Sequence, residues 1–183
     1  MISAMTASID EQATMIAPSP WVERHLPSLA PGGRVLDLAC GRGRHARLLA
    51  AAGHAVVAVD RDIAAISGLR GAPGISALQL DLEGDDWPLA GQQFAGVVVT
   101  NYLWRPRLPA ICALLGSGGV LIYETFMVGN EAYGKPSNPE FLLHPGELRS
   151  IAKASGLREV AFEEGYTDYP KPAMRQAICA VRE

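Results

Sequence analysis

The run from Arg34 to Asp62, RVLDLACGRGRHARLLAAAGHAVVAVDRD, constrains this chain more than any other. Val35–Cys40 reads as an apolar strand with Asp37 near its end. Gly41 and Gly43 follow in a short loop, and Arg44–Ala52 is rich in Ala and Leu, as a helix is. Gly53 supplies a C-terminal cap. Ala55–Asp60 is almost wholly apolar, the composition of a strand in a buried parallel sheet, and it ends in a second acid. Strand, glycine loop, helix and strand make a βαβ unit. The glycines let the backbone turn tightly and approach a ligand where a side chain would intrude. Such a unit holds a nucleoside-bearing cofactor at the carboxyl ends of its strands.

The alternation continues along the chain. Ile63–Leu69 predicts a brief helix closed by Gly71, Ile75–Leu82 a third strand and Phe94–Thr100 a fourth. Leu108–Leu115 predicts a helix that Gly116–Gly119 turns into a fifth strand, Val120–Phe126. Met127–Pro145 breaks the rhythm with Gly, Pro, Asn and aromatic residues. It is too long for an ordinary connection, which favours a functional loop over the cleft, hinged at Gly129 and Gly134. A helix then runs from Pro145-Gly146-Glu147 to Ser155. Leu157–Glu164 and Ala173–Val181 are two last strands, and the link Gly165–Pro172 is too short for a helical crossover, so they pair antiparallel. The expected fold is an α/β sheet with helices on both faces. At the other end, Ser19 caps a short helix with Pro20 at its first position, and Trp21, Val22 and His25 share a face. Residues 1–18 read as a flexible tail and 19–183 as a single domain.

Bulk properties exclude several classes. A net charge of −3 gives no electrostatic support for a nucleic-acid partner. No apolar run approaches the ~20 residues of a membrane span, and the N-terminus lacks the pattern of a secretory signal. Cys40, Cys112 and Cys179 are widely spaced and read as reduced, packed thiols of a cytoplasmic protein. The four histidines are scattered, so no metal site is expected.

Gly41, Gly43 and Ala46 also fit the dinucleotide fingerprint, with Asp60 about twenty residues on. Asp37 separates the two cofactors. A carboxylate there repels a pyrophosphate and welcomes the ammonium of S-adenosylmethionine (SAM). Asp81, at the expected end of the third strand, can accept a hydrogen bond from adenine. The chain is also too short for a dinucleotide domain plus a separate substrate domain.

With these residues in place, the chain resembles the class I SAM-dependent methyltransferases from Trp21 onward. LDLACGRGRH is similar to their first motif, AVVAVDRD to the second, QLDLE to the third and VVVTNYLW to the fourth. Within that family the ACGRGRHARLLAAAGHAVVAVDRD run is most similar to small bacterial proteins of the tellurite-resistance methyltransferase type. The resemblance implies a Rossmann-like, seven-stranded, mostly parallel sheet with an antiparallel last strand. It implies that Asp60 binds both ribose hydroxyls, that Asp81 and Leu82 meet the adenine, and that Asn101 and Tyr102 flank the methyl donor. Trp21, Ala39, Gly41, Gly43, Arg44, His45 and Arg61 complete the expected cofactor set, beside Asp37.

The expected acceptor set is Arg105, Glu124, Phe126, Tyr133, Lys135, Asn138 and His144. No acid–base pair is assignable, and none is demanded, because the donor is already activated and the enzyme need only align and desolvate the attack. The expected activity is methyl transfer from SAM to a small acceptor such as a thiol, a metalloid oxyanion or a metabolite, leaving S-adenosylhomocysteine. The chain is expected to act as a monomer or homodimer. Two other readings stay open: a SAM-binding sensor or partner subunit without transfer activity, and an NAD-dependent oxidoreductase. Bland roles stay open too, Asp60 as a helix cap and Asp81 as a turn former.

Overall fold

A computed structural model describes residues 17–183. The expected tail lies outside the described residues except for Ala17 and Pro18. The chain then runs α1 (Pro20–His25), β1 (Arg34–Leu38), α2 (Arg44–Ala51), β2 (Ala55–Asp60), α3 (Ile63–Ile66), β3 (Ile75–Gln79), β4 (Phe94–Thr100), α4 (Leu108–Ala113), β5 (Leu115–Phe126), α5 (Glu147–Ala154), β6 (Leu157–Thr167) and β7 (Ala173–Arg182). The strands form one seven-stranded sheet in the order β3-β2-β1-β4-β5-β7-β6. The first five are parallel, and β7 lies antiparallel between β5 and β6. The expected sheet and its antiparallel end are therefore present.

Side-chain alternation divides the core between two faces. Leu36, Val57, Val97, Leu121 and Ile178 point toward α4 and α5. Val35, Val56, Val98, Ile122 and Cys179 point toward α1, α2 and α3. Each large apolar side chain fully buried in these layers contributes roughly 1.5–3 kcal/mol. No helix among the described residues is long and apolar enough to cross a membrane.

Two boundaries differ from the expected ones for local reasons. β3 stops at Gln79 rather than Leu82. The Leu80 amide still bonds to the Asp60 carbonyl at 3.0 Å, but the Asp81 side chain then accepts the Glu83 amide at 2.9 Å and bends the chain away. β5 begins at Leu115, before the glycines. Leu115 pairs with Phe94 and Val120 with Gly96, so Gly116–Gly119 is an irregularity within the strand. A Cβ at Gly119 would lie 2.8 Å from the Gly116 carbonyl, so the bulge accepts only glycine there.

The segment 127–145 is tied to the sheet and to itself by backbone and side-chain bonds. Met127 and Leu143 form a bridge, the Met127 amide bonds to the Met174 carbonyl, and the Val128 amide bonds to the Leu143 carbonyl. Asn130 is buried at its centre. Its amide donates to the Pro136 carbonyl at 2.9 Å, and its oxygen accepts the Met174 amide at 3.1 Å. Gly129 has φ +98°, and a Cβ there would press on the Met174 side chain at 3.1 Å, so the position favours glycine.

Candidate active site

Period-two alternation aims a row of polar side chains at the α2 face of the sheet's carboxyl edge. Asp37 follows Val35, Thr100 follows Val98 and Glu124 follows Ile122, all apolar residues of that face. Register then sets them side by side: Thr100 pairs with Glu124, and Glu124 with Ala177 across β7. Above them the chain leaves β1 through Ala39–Gly43. Ala39 and Asn101 are the only non-glycine residues with positive φ among the described residues, at 54° and 55°. Both line one cleft, where backbone strain is retained by its surroundings.

That cleft, of about 240 Å³, is lined by Ala39, Asp60, Arg61, Leu80, Asp81, Leu82, Glu83, Asn101 and Tyr102. Seven of these are expected cofactor residues: Ala39, Asp60, Arg61, Asp81, Leu82, Asn101 and Tyr102. Asp60 Oδ2 accepts the Gly41 amide at 2.7 Å and Oδ1 the Asp62 amide at 2.9 Å, so this carboxylate braces the glycine loop. The helix cap is Asp62, which accepts the Ala64 amide, and not Asp60. Asp81 does form a turn, through Oδ1, while its Oδ2 makes no hydrogen bond among the described residues. A Cβ at Gly41 would meet open space, whereas one at Gly43 would lie 2.4 Å from Leu69. Gly41 thus leaves room for a ligand, and Gly43 for close packing.

Two polar groups near the cleft are buried without hydrogen-bond partners among the described residues. Both oxygens of Asp37 are among them, on a residue 1% exposed, and the Tyr102 hydroxyl is another. Burial raises the Asp37 carboxyl to about 7, against the pull of the Ala46 amide and the Arg44 guanidinium. Burial likewise raises the Tyr102 phenol. A buried polar group without a partner is rare, and a ligand that completes the bonding is one way to satisfy it. The open glycine loop, the acids of the cleft and the unpartnered Asp37 together fit a nucleoside carrying a cationic amine.

A second cleft, of about 230 Å³, opens between α1 and the β6–β7 hairpin, with Trp21, Glu124, Tyr166 and Arg175 among its walls. Arg175 joins the two clefts. Its Nη1 donates to Asn101 Oδ1 at 2.9 Å and lies 3.4 Å from Glu124 Oε1, while its buried Nε has no partner. Burial lowers the Arg175 guanidinium below its usual range, and Glu124 opposes the shift. Ser19 ties in the start of α1: its hydroxyl donates to Glu124 at 2.8 Å and its amide to His45 Nε2 at 3.0 Å. Accepting that amide leaves Nε2 unprotonated, so the His45 proton sits on Nδ1, 3.3 Å from Thr100 Oγ1. Burial, with Arg44, lowers His45 to about 3, so it is neutral.

The remaining expected residues fall elsewhere. Trp21 lies in the second cleft, its indole donating to the Ile178 carbonyl at 3.3 Å, and is not among the residues that line the first. Arg44 donates to the Ala17 carbonyl at 3.1 Å. Arg105 is removed from both clefts: every guanidinium nitrogen is engaged by Glu147 or by the Glu140 and Leu142 carbonyls. Phe126 is buried beneath Arg175, at 4.3 Å from ring to guanidinium. Tyr133 reaches the second cleft only by packing on Tyr166, with ring centroids 5.4 Å apart. Lys135 is exposed, Asn138 caps a turn by accepting the Glu140 amide, and His144 uses its backbone to hold Glu147 and Gln176. Of the expected acceptor set, only Glu124 lines the cleft. Sequence reading missed Ser19 and Arg175 as members of the site. Ser19 was visible only as a cap, and Arg175 sits in a strand with no local motif.

Residues 35–119 match the model of a methyltransferase domain family. The chain is 30% identical over 155 residues to the tRNA U34 carboxymethyltransferase of Methylococcus capsulatus, covering 72% of this chain and 47% of that protein. It spans less than half the length of the curated relatives it matches. Among solved structures, TehB from Haemophilus influenzae superposes with a TM-score of 0.76 at 20% identity, over 95% of this chain and 65% of that one. A TehB-like SAM-dependent methyltransferase from Corynebacterium glutamicum gives 0.67 at 20% identity, over 95% and 92%. A methyltransferase domain model thus matches residues 35–119, and the strand order around them is the fold of the solved SAM-dependent methyltransferases.

Proposed function

We propose that this chain transfers a methyl group from SAM to a small acceptor held between α1 and the β6–β7 hairpin. The observation that carries the reading is the Asn101–Arg175–Glu124 link, which makes the two clefts neighbours on one sheet edge. In-line displacement needs donor and acceptor in adjacent chambers. In this reading Asp60 receives the ribose hydroxyls, Asp81 and Leu82 receive the adenine, and Asp37 faces the ammonium. Asn101 and Tyr102 flank the methyl-bearing end. SAM supplies a methyl group already activated on a sulfonium. The chain's part is to orient the acceptor with Arg175 and Glu124 and to keep water out with Trp21 and Tyr166. Arg175 favours an acceptor with an anionic or hydrogen-bond-accepting group, because its buried Nε–H has no partner.

A second reading, a tRNA acceptor, is favoured by the names of the curated relatives. The net charge of −3 weighs against it. Thermal shift with SAM, S-adenosylhomocysteine, NAD and NADP tests the cofactor. Stabilisation by NAD alone would overturn it. Labelled SAM with tellurite, selenite, thiols, small carboxylates and bulk tRNA then separates the acceptors. Label in tRNA alone would replace the small-molecule reading with the second one.

A further inference from the structure

We infer that Asp37 is a proton-coupled site: the empty pocket holds a proton on this carboxyl, and a ligand's ammonium expels it on binding. The inference rests on the SAM reading above and adds a requirement for the ammonium itself.

Asp37 leaves β1 on the α2 face, is 1% exposed, and neither of its oxygens has a hydrogen-bond partner among the described residues. A bare carboxylate without partners is costly in such a place, and taking up a proton relieves the cost. The surroundings do little to hold the charge. From α2, Arg44 and the Ala46 amide favour the ionised form, but Arg44 also turns out to the Ala17 carbonyl. From β2, Asp60 is a like charge that opposes ionisation. From the loop, burial keeps the Cys40 thiol neutral, and Asp37 and Asp60 reinforce this. Across the sheet, β4 presents Val98 as the register partner. His45 on α2 is uncharged. These influences bring the carboxyl to about 7.

An ammonium set over the open side of Gly41 adds the missing cation. The Asp37 O–H bond then breaks, the proton leaves to water or buffer, and the carboxylate remains paired with the ammonium. No electron changes hands. Because the empty pocket binds the proton and the filled pocket does not, affinity rises with pH. The rise is about tenfold per pH unit below the empty-pocket midpoint, and it levels off above it.

Isothermal calorimetry of the full chain with S-adenosylhomocysteine, at pH 7 in phosphate and in Tris, reads the proton directly. About half a proton should be released per ligand bound at pH 7, and almost none at pH 8.5. Asp37→Asn should bind more weakly and release none. An analogue of S-adenosylhomocysteine lacking the α-amino group should bind wild type without release. Binding enthalpy that does not depend on buffer at pH 7, or equal release from Asp37→Asn, overturns the inference and leaves the cofactor reading standing. Absence of any binding at either pH overturns the cofactor reading and this inference with it. A second measurement serves if the variant does not fold. The Asp37 carboxyl carbon in the ligand-free wild type should titrate near 7, and a midpoint near 4 refutes the proposal.

Discussion

Arg105 grips Glu147 with two parallel hydrogen bonds, Nε to Oε1 at 2.7 Å and Nη2 to Oε2 at 2.9 Å. The same guanidinium holds the Glu140 and Leu142 carbonyls, and Glu147 also accepts the His144 amide at 2.7 Å. One fork thus fastens the connection after β4, the end of the 127–145 segment and the start of α5. Burial works to raise the Glu147 carboxyl, but the bonds from Arg105 and His144 outweigh it and hold it below its usual range.

Arg105→Lys should therefore loosen the segment without touching the cleft at Asp60 and Asp81. Lysine cannot reproduce the fork. The stability loss should be about 1.5–3 kcal/mol, the scale of charged hydrogen bonds. Limited proteolysis should cut within 127–145 sooner than in wild type, while SAM affinity is unchanged. An unaltered cleavage pattern would show that the segment holds itself.

Asp60→Ala removes a carboxylate that braces the Gly41 amide and faces the cleft. SAM binding should weaken by roughly 2–3 kcal/mol, as for hydrogen bonds to a charged group. Asp60→Asn keeps an acceptor for one amide, so it should retain more of the fold's stability than of the affinity. Calorimetry on folded variants decides, and unchanged affinity would reduce Asp60 to a loop brace.

Asp37→Asn should make the ligand-free protein more stable at pH 8. The Asp37 carboxyl stands at about 7 when folded, above its ordinary 3.8, so the folded state holds a proton that the unfolded chain has lost. Its contribution to stability is present at low pH and falls as pH rises from about 4 to about 7. The span corresponds to roughly 4 kcal/mol against the charged form as an upper bound. The variant's advantage in melting temperature should appear at pH 8 and vanish at pH 4. An equal advantage at both values would point to packing instead.

Gly43→Ala tests the loop's backbone. Gly43 has φ +75° at the start of α2, and a Cβ there would lie 2.4 Å from Leu69. Strain and overpacking together should cost about 2–4 kcal/mol. Chemical denaturation measures it. Gly41→Ala shares the positive φ but meets open space, so it should cost less in stability and act on cofactor affinity instead.

The sequence alone determined the alternation of strands and helices and the antiparallel end of the sheet. Near-continuous apolar runs such as Ala55–Asp60 announce buried parallel strands, and the short Gly165–Pro172 link forces an antiparallel end. Asp60, Asp81 and the glycine loop were legible because each lies at or just beyond the end of an apolar run, and strand ends converge in such folds. The acceptor side was another matter. Arg105 sits in the connection after β4, and Lys135, Asn138 and His144 in an irregular segment whose composition signals function but not direction. Tertiary contacts fold that segment onto β7 and consume Arg105 in its anchoring. Arg175 and Ser19 are distant in sequence from Glu124, and only the register of β5 with β7 and the placement of α1 bring them together. Local pattern specifies what a residue's own strand or helix requires. Which side chains share a cleft depends on pairings across the whole chain, and those the tertiary structure alone decided.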